Sequence, residues 1–535
     1  MKQVSAKARR RKARIVGIEV FPVASTGRRP RDAWWWSSLA VLLGAALLRL
    51  LFLTEKPLHH DEGVNGVFLV TLFRTGFYHY DPANYHGPSL YYLAVIPTAI
   101  NNVLHWGHGL STFVIRLVTA VFGVGVVWLV LCLRRWLGSA GSLAAAAFAA
   151  VSPGFVFFSR YFIHEILFVF FTLGVVVAWL YYRESGRPRY LMLASASAAM
   201  LFTTKETWII TAAVWLIAIP CTVFYLRLRK KTNDPAPPSE DELTPGERRP
   251  SRPFLWAGLL FVTIGVLLYT SFFTNPRGIL DAFLTFTYWT KTGEHGIYNR
   301  EWWTYLQWMW QEESPILLLG GAGALLALLK ARSRFPVFCA FWMMGIFAAY
   351  SLVPYKTPWL VLSLILPLVL MVGYLIEETF QAGSRGSFAF VLGVFIFLAT
   401  TVGVMFSLYQ AIDISFIHYD ANNESYPYVY AHTDRDFLAL VNEIDTIAAN
   451  NRAKKAIGIT VMSPEHWPLP WYLRDYTSIG YWGKIVDTSE PIVIALEPQT
   501  PEVERLLGDK YRRFSTHELR PGNTLVMYVR KDVAP

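Results

Sequence analysis

The segment AWWWSSLAVLLGAALLRLLFL, residues 33–53, carries one charged side chain, Arg49, in its whole length. About twenty such residues span the roughly 30 Å of a bilayer's hydrocarbon. Comparable apolar runs recur at 112–133, 140–156, 163–183, 189–204, 206–228, 254–274, 315–330, 336–353, 358–377 and 387–409. In lipid every backbone N–H and C=O must be satisfied within the segment, so runs of this kind fold as helices. Charged residues make up 16% of the chain, against about a quarter in soluble domains. The expected fold class is an α-helical polytopic membrane protein of about 11 transmembrane helices.

The net charge is +11, but it does not point to nucleic acid. Basic residues gather in short segments between apolar runs: KARRRKAR near the N-terminus, LRRWLG, YYRESGRPR, RLRKKTNDPAPPSEDELTPGERRPSR, KARSR and AGSRGS. Counting the whole N-terminal segment, these hold about 26 Lys and Arg, and the alternate loops about 8. That bias places the basic loops and the N-terminus in the cytoplasm, and the C-terminus outside after an odd number of spans. The basic N-terminus reads as an anchor on anionic lipid, with no cleavable signal peptide. Cys132, Cys221 and Cys339 all fall in apolar runs, so neither a disulfide framework nor a zinc site follows.

One apolar segment breaks the pattern. Were residues 89–104, SLYYLAVIPTAINNVL, to cross the membrane, every later basic loop would change sides. They read instead as an interfacial helix inside a long first outer loop, 54–111. The expected organisation is a basic tail (1–32), a first membrane module (33–229), a Pro-, Glu- and Arg-rich cytoplasmic linker (230–253), a second membrane module (254–410) and an extracytoplasmic α/β domain (411–535). In that domain KAIGITV, PIVIALE and NTLVMYV read as strands, DFLALVNEIDTIAAN and PEVERLLGD as helices.

With this topology the ionisable residues nearest the membrane boundary converge on the outer side. Asp61 and Glu62 follow the first span in KPLHHDEG; Arg160 and Glu165 share SRYFIHE; Lys205 and Glu206 share TTKE; Lys356 lies in PYKTPW; Arg49 and Arg116 sit at outer span ends. Charge so close to hydrocarbon is costly unless it is paired or lines a wet cavity. Acids and bases from separate loops suit an anionic, lipid-linked substrate. If a sugar is carried on a polyprenyl phosphate, the leaving phosphate already bears its charge. One carboxylate to take the acceptor's proton, with cations to hold the phosphate, is then sufficient. Asp61 is the candidate base; Arg160, Lys205 and Lys356 are candidate phosphate holders.

Each residue also has a plainer reading. Asp61 and Glu62 would equally favour the N-terminus of a surface helix, Glu165 would pair with Arg160, Lys205 and Glu206 would snorkel to the interface, and Arg49 and Arg116 would brace the fold. His59 and His60 beside Asp61 are poor partners for one ion, since adjacent side chains rarely share it. The aromatic run YNREWWTYLQWMW, 298–310, reads as an interfacial belt or as a sugar platform. PEHWPLPWYLRDY, 464–476, brings Trp467, Trp471, Tyr472 and Arg474 together, as a packed loop or as a lid over the site.

The ordered set resembles the GT-C glycosyltransferases, specifically the group of protein O-mannosyltransferases and aminoarabinose transferases, over about residues 33–230. That group has an Arg in span 1, an outer acidic pair, an Arg opening span 2, an SR with an acid soon after and a Lys after span 5. These positions are Arg49, Asp61 and Glu62, Arg116, Arg160 with Glu165, and Lys205 here. DE with HGP, PYKTPW and PWYLRDY resemble a bacterial and archaeal subfamily labelled flippase-activity-associated. The resemblance implies a GT-C fold in the cytoplasmic (inner) membrane and an inverting glycosyltransferase acting on its outer face. Asp61, with Glu62, takes the catalytic position. Arg49, His86, Arg116, Arg160, Glu165, Lys205 and Lys356 contact substrate, and the acceptor is a protein, lipid or glycan. Two departures stand out: Glu165 replaces a frequent Asp, and YHGP replaces EKP, which leaves His86 to meet the phosphate or the contact absent. Some branches use a divalent metal, with Asp61 and Glu165 the candidate ligands. The competing reading is a flippase component that handles lipid-linked sugars without catalysis. The polar residues at one face, where transporters place theirs at mid-bilayer, favour the enzyme.

Overall fold

The structure, a computed structural model, describes residues 33–83, 86–104, 109–232, 252–292, 299–331, 333–383 and 386–533. The basic tail and most of the linker lie outside these. Among the described residues, eight helices are long and apolar enough to cross a membrane: Ala33–Leu50, Thr112–Cys132, Glu165–Ser185, Trp208–Arg229, Arg252–Tyr269, Arg334–Leu352, Pro358–Ala382 and Ser387–Ile417. Two bent pairs raise the number to ten.

Ten is one short of the expected count of about eleven; two of the expected spans are bent and a third is short. Ser139–Val151 and Pro153–Ser159 meet at 53°, because Pro153 cannot donate into the preceding turn. The Ser152 hydroxyl instead accepts from Phe155 N at 3.3 Å and starts a new helix. Thr304–Glu312 meets Ser314–Lys330 at 114°, again with a proline, Pro315, in the first turn of the second helix. The segment expected at 189–204 is the helix Pro188–Phe202, 15 residues, about 22 Å long and shorter than the hydrocarbon layer.

Burial orders the bundle. Of its most apolar stretch, Pro358–Ala382 has 78% of residues buried and forms the central post, against 6% for Ser387–Ile417 at the periphery. Phe388, Phe395, Phe397 and Val402 on that outer helix present apolar surface outward, as a lipid-facing helix does. Residues 51–59, 160–164, 203–207 and 353–357 lie at one end of the bundle, and 134–138, 186–187, Gly383 and Gly386 at the other. Ser89–Val103 contains Pro97, and its Ile96, Ile100 and Val103 are exposed.

Beyond Ile417 the chain builds a five-stranded sheet. β1 (Ile459–Val461) pairs in parallel with β2 (Ile479–Tyr481) and β3 (Ile492–Leu496), and β5 (Asn523–Arg530) is antiparallel to β3 and to β4 (Tyr511–Arg520). Ile459, Val461, Ile492, Ile494, Met527 and Val529 pack against Leu440, Ile444 and Ile447 of the helix Phe437–Asn450. The three expected strands and both expected helices are present. β2 and β4 were not foreseen. Both are edge strands; β4 reads YRRFSTHELR, whose charges keep an edge soluble and hide its strand character.

Candidate active site at the junction of bundle and sheet domain

Residues 51–59 emerge from the first span and are gripped by arginines. Arg160 donates to the carbonyls of Leu48, Leu51 and Phe52 at 3.1, 2.6 and 3.1 Å, the unsatisfied C-terminal end of that helix. Arg49 does the same for Ser139–Val151, donating to Ala149 and Ala150 at 2.9 and 2.8 Å. Arg116 donates to Leu53, Lys56 and Pro57 carbonyls at 2.7, 3.0 and 2.9 Å. All three are buried. Most of their protons go to backbone, so they fix helix ends and loop.

The HHDE motif then opens the helix His60–Thr75. His59 is its N-cap: its Nδ1 accepts from Asp61 N at 3.1 Å. Because Nδ1 accepts, the proton sits on Nε2, which donates to the Tyr430 carbonyl at 3.1 Å. Burial lowers the His59 pKa and keeps the ring neutral, as the cap requires. Glu62 closes the capping box, accepting from His59 N at 2.9 Å. It also accepts from Phe162 N at 2.8 Å and takes a bidentate grip from Arg116 at 2.8 and 2.7 Å. Burial alone would raise its pKa, but Arg116 outweighs it and holds the carboxyl below the usual range. The acidic pair is therefore divided. Glu62 is fully buried, whereas the Asp61 side chain is 43% exposed and lies 4.0 Å from the neutral His59 ring.

HGP and TTKE, more than 100 positions apart, form one unit. Gly87 N donates to Thr204 O and Ser89 N to Thr203 O, each at 3.1 Å, and His86 bridges Lys205. On this frame Lys205 Nζ meets Glu165 Oε1 at 2.5 Å, and His86 Nδ1 meets Glu206 Oε2 at 3.1 Å. Burial works against the Lys205 ammonium, but Glu165 and Glu206 outweigh it and raise its pKa. Burial likewise pushes Glu206 up, while His86 and Lys205 bring it below the carboxylate range. Glu165 thus pairs with Lys205, not with Arg160.

A chain of contacts connects the loops. Asn65, one turn beyond Asp61, accepts from Tyr91 at 2.9 Å and donates to Phe162 O at 3.0 Å. The Tyr91 and His164 rings lie 5.6 Å apart, and those of His164 and His86 5.1 Å. Lys356 Nζ donates to the carbonyls of Tyr350, Ser351 and Val353 at 3.0, 3.1 and 2.8 Å, capping the helix Arg334–Leu352. The structure so gathers the expected residues at one end of the bundle, with most of the cations already engaged. As for a divalent ion, Glu165 is ion-paired, both His59 nitrogens are committed, and no group of three or more His, Cys, Asp or Glu among the described residues is placed to hold a metal. The donor set does not fit one.

The sheet domain locks this geometry. Trp471 is fully buried, and a Cβ on Gly66 would lie 2.5 Å from its Cε3; one on Gly63 would lie 2.6 Å from Pro468 Cβ. The two glycines of DEGVNG are the seat for the PLPW turn. Tyr472 Oη accepts from Leu58 N at 2.9 Å, Arg474 donates to Leu110 O at 2.9 Å and Thr433 Oγ1 to Leu58 O at 2.7 Å. Residues 464–476 are packing against the loop that carries Asp61. Lys56, Tyr430 and His432 were not singled out in the sequence. Lys56 Nζ is buried 3.1 Å from the Tyr161 ring centroid, and the His432 ring lies 4.8 Å from that of His59. Beside them opens a cavity of about 1080 Å³ between residues 299–311, the end of Arg334–Leu352, residues 422–431 and the β4–β5 turn.

The fold has counterparts. ArnT from Cupriavidus metallidurans in the apo state superposes over 94% of this chain and 99% of its own, with a TM-score of 0.63 at 12% identity. The fold is GT-C, of the ArnT type. The same enzyme bound to undecaprenyl phosphate gives 0.62 at 13% identity over 94% of this chain and 100% of its own. The ArnT-type fold extends to an Archaeoglobus fulgidus oligosaccharyltransferase tethered with an acceptor peptide, at a TM-score of 0.55 and 12% identity over 84% of this chain and 64% of that one. In sequence, residues 85–232 match the family of dolichyl-phosphate-mannose-protein mannosyltransferases. That segment of the ArnT-type chain contains His86, Arg116, Arg160, Glu165 and Lys205. No curated protein matches the sequence.

Proposed function

We propose that this protein transfers a sugar from a polyprenyl-phosphate carrier to an acceptor hydroxyl at the outer face of the membrane, with Asp61 as general base. One observation carries the role of Asp61. Of the four acids in the HHDE, SRYFIHE and TTKE motifs, Glu62, Glu165 and Glu206 are each held by a basic partner, and Asp61 keeps an exposed carboxylate beside a neutral histidine. The matched family segment and the ArnT-type fold, known with a polyprenyl phosphate bound, support the donor class.

In the reaction Asp61 takes the proton of the acceptor hydroxyl as its oxygen attacks the anomeric carbon. The bond from that carbon to the phosphate oxygen breaks with inversion, and polyprenyl phosphate leaves carrying the electron pair. Because the phosphate leaves as a stable anion, no acid is needed, unlike in glycoside hydrolysis. A positioned base contributes typically about 10²–10⁴-fold. Glu165 takes one of three Lys205 N–H donors, and the remaining two serve the phosphate with His86. Arg49, Arg116, Arg160 and Lys356 hold the loops that present these groups.

Proteoliposomes containing the full chain, supplied with radiolabelled polyprenyl-phosphate sugar and a cell-envelope acceptor fraction, test the reading. Label moving to acceptor with release of polyprenyl phosphate supports it. Intact labelled lipid crossing the bilayer with no label transferred would instead establish a flippase.

A further inference from the structure

The cavity of about 1080 Å³ has no part in the chemistry above, yet it adjoins it. Tyr430, in its wall, receives the His59 Nε2 proton at 3.1 Å, and His59 caps the helix that begins with His60 and Asp61. Arg520, also in the lining, donates to Glu465 at 3.0 Å and to the Trp467 carbonyl at 3.4 Å, and the Trp467 ring lies 6.0 Å from His60. Two lining residues of the cavity thus connect to the segment bearing Asp61.

We infer that this cavity is the acceptor site and that the acceptor it takes is a neutral, hydroxyl-rich saccharide. The inference rests on the glycosyltransferase reading and names its acceptor class.

Three features of the lining carry the choice. The Trp302 and Trp303 rings stand nearly perpendicular, at 84° with centroids 5.5 Å apart, and their side chains are 63% and 45% exposed. Together with Trp308 they line a concave surface. Flat indole faces held this way receive the C–H face of a pyranose, whose hydroxyls then point to the rim. An interfacial belt would turn its indoles out to headgroups. Trp310, on the helix Thr304–Glu312 with Trp308 and exposed, is absent from the cavity wall and behaves so. Next, the rim supplies Gln307, Gln311 and Asn423, side chains able to donate and accept at once. That suits hydroxyls and would leave amides unpaired against acyl chains. Finally, the lining sets Arg300 and Arg520 against Glu301 and Glu424, and Arg520 is also paired with Glu465, so no net positive field draws a phosphate. The volume lies at the top of the roughly 300–1,000 Å³ range of small-ligand pockets, enough for more than one sugar ring.

The probe is a mixture of neutral oligosaccharides released from the producing cell's envelope and fluorescently labelled, with full-length protein in nanodiscs. Wild type should bind a component of the mixture. The exposed pair Trp302→Ala/Trp303→Ala should weaken that binding at least 10-fold while binding of polyprenyl-phosphate sugar is kept, and Trp310→Ala, outside the cavity wall, should bind the oligosaccharide as wild type does. Equal binding by wild type and the double variant overturns the site assignment. So does binding of a Ser/Thr peptide library by wild type in place of every oligosaccharide. Failure of the glycosyltransferase reading is seen separately: oligosaccharide binding would still be lost in the tryptophan variant alone, but wild type would transfer no label.

Discussion

Glu62 and Arg116 form a bidentate ion pair at 2.8 and 2.7 Å with both side chains fully buried. They lie 54 positions apart, and their contact ties the helix after the first span to the span that follows. The carboxylate next to Glu62 faces solvent. Two adjacent acids are thereby given different tasks, one mechanical and one chemical.

The pair makes a stability prediction. Glu62→Ala leaves the Arg116 guanidinium buried without its counter-charge, a loss of about 3–5 kcal/mol for one-sided removal of a buried ion pair. Thermal unfolding in detergent should show a large drop in Tm for Glu62→Ala. Asp61→Asn, at a half-exposed site, should unfold close to wild type.

Docking of the sheet domain depends on two small positions. Gly63→Ala sets a methyl 2.8 Å from the Pro468 Cα, which is backbone and cannot rotate away. Gly66→Ala meets the buried Trp471 ring. Overpacking of this kind costs about 1–3 kcal/mol. Limited proteolysis between the last span and the sheet should accelerate in both variants, and sugar transfer should fall because the loop bearing Asp61 loses its seat. Proteolysis unchanged from wild type would show that the domain does not rest on these glycines.

The histidines give a pH dependence. Burial lowers the His59 pKa, and holds His60 at about 4 against an ordinary value near 6.5. A basic group with a depressed folded pKa stabilises the fold fully above its unfolded pKa. That stability is lost as pH falls through about 6.5 toward 4, because the unfolded chain binds the proton first. Tm should therefore decline from pH 7 to pH 4, by stability on the order of 3 kcal/mol for His60. His60→Gln should flatten that slope.

The Lys205–Glu165 contact predicts a coupling. Lys205→Met should strand a buried carboxylate and reduce both folded yield and donor binding, and Lys205→Met/Glu165→Gln should recover yield without recovering donor binding. A double-mutant cycle measures this; recovery of both would make the lysine purely structural.

Much of this was legible because it is written in local composition. The apolar runs reveal the helices, and the β-branched cores of ITV and IVIAL reveal strands. The motif residues do meet at one end, since alternating spans bring every second loop together. Their partners were not legible. Arg160 binds the carbonyls ending the first span, not Glu165, and Arg116 takes Glu62. Those choices depend on which helix end each loop crosses, which no spacing encodes. Two glycines three residues apart in DEGVNG were a readable sign of close packing, although the tryptophan seated there lies about 400 positions away.

The most direct test of the account is turnover of labelled polyprenyl-phosphate sugar by purified Asp61→Asn in proteoliposomes, beside Asp61→Glu and wild type. The account predicts that Asp61→Asn folds and binds donor but transfers at least 10²-fold more slowly, with Asp61→Glu recovering part of the rate. Transfer by Asp61→Asn at the wild-type rate would contradict it.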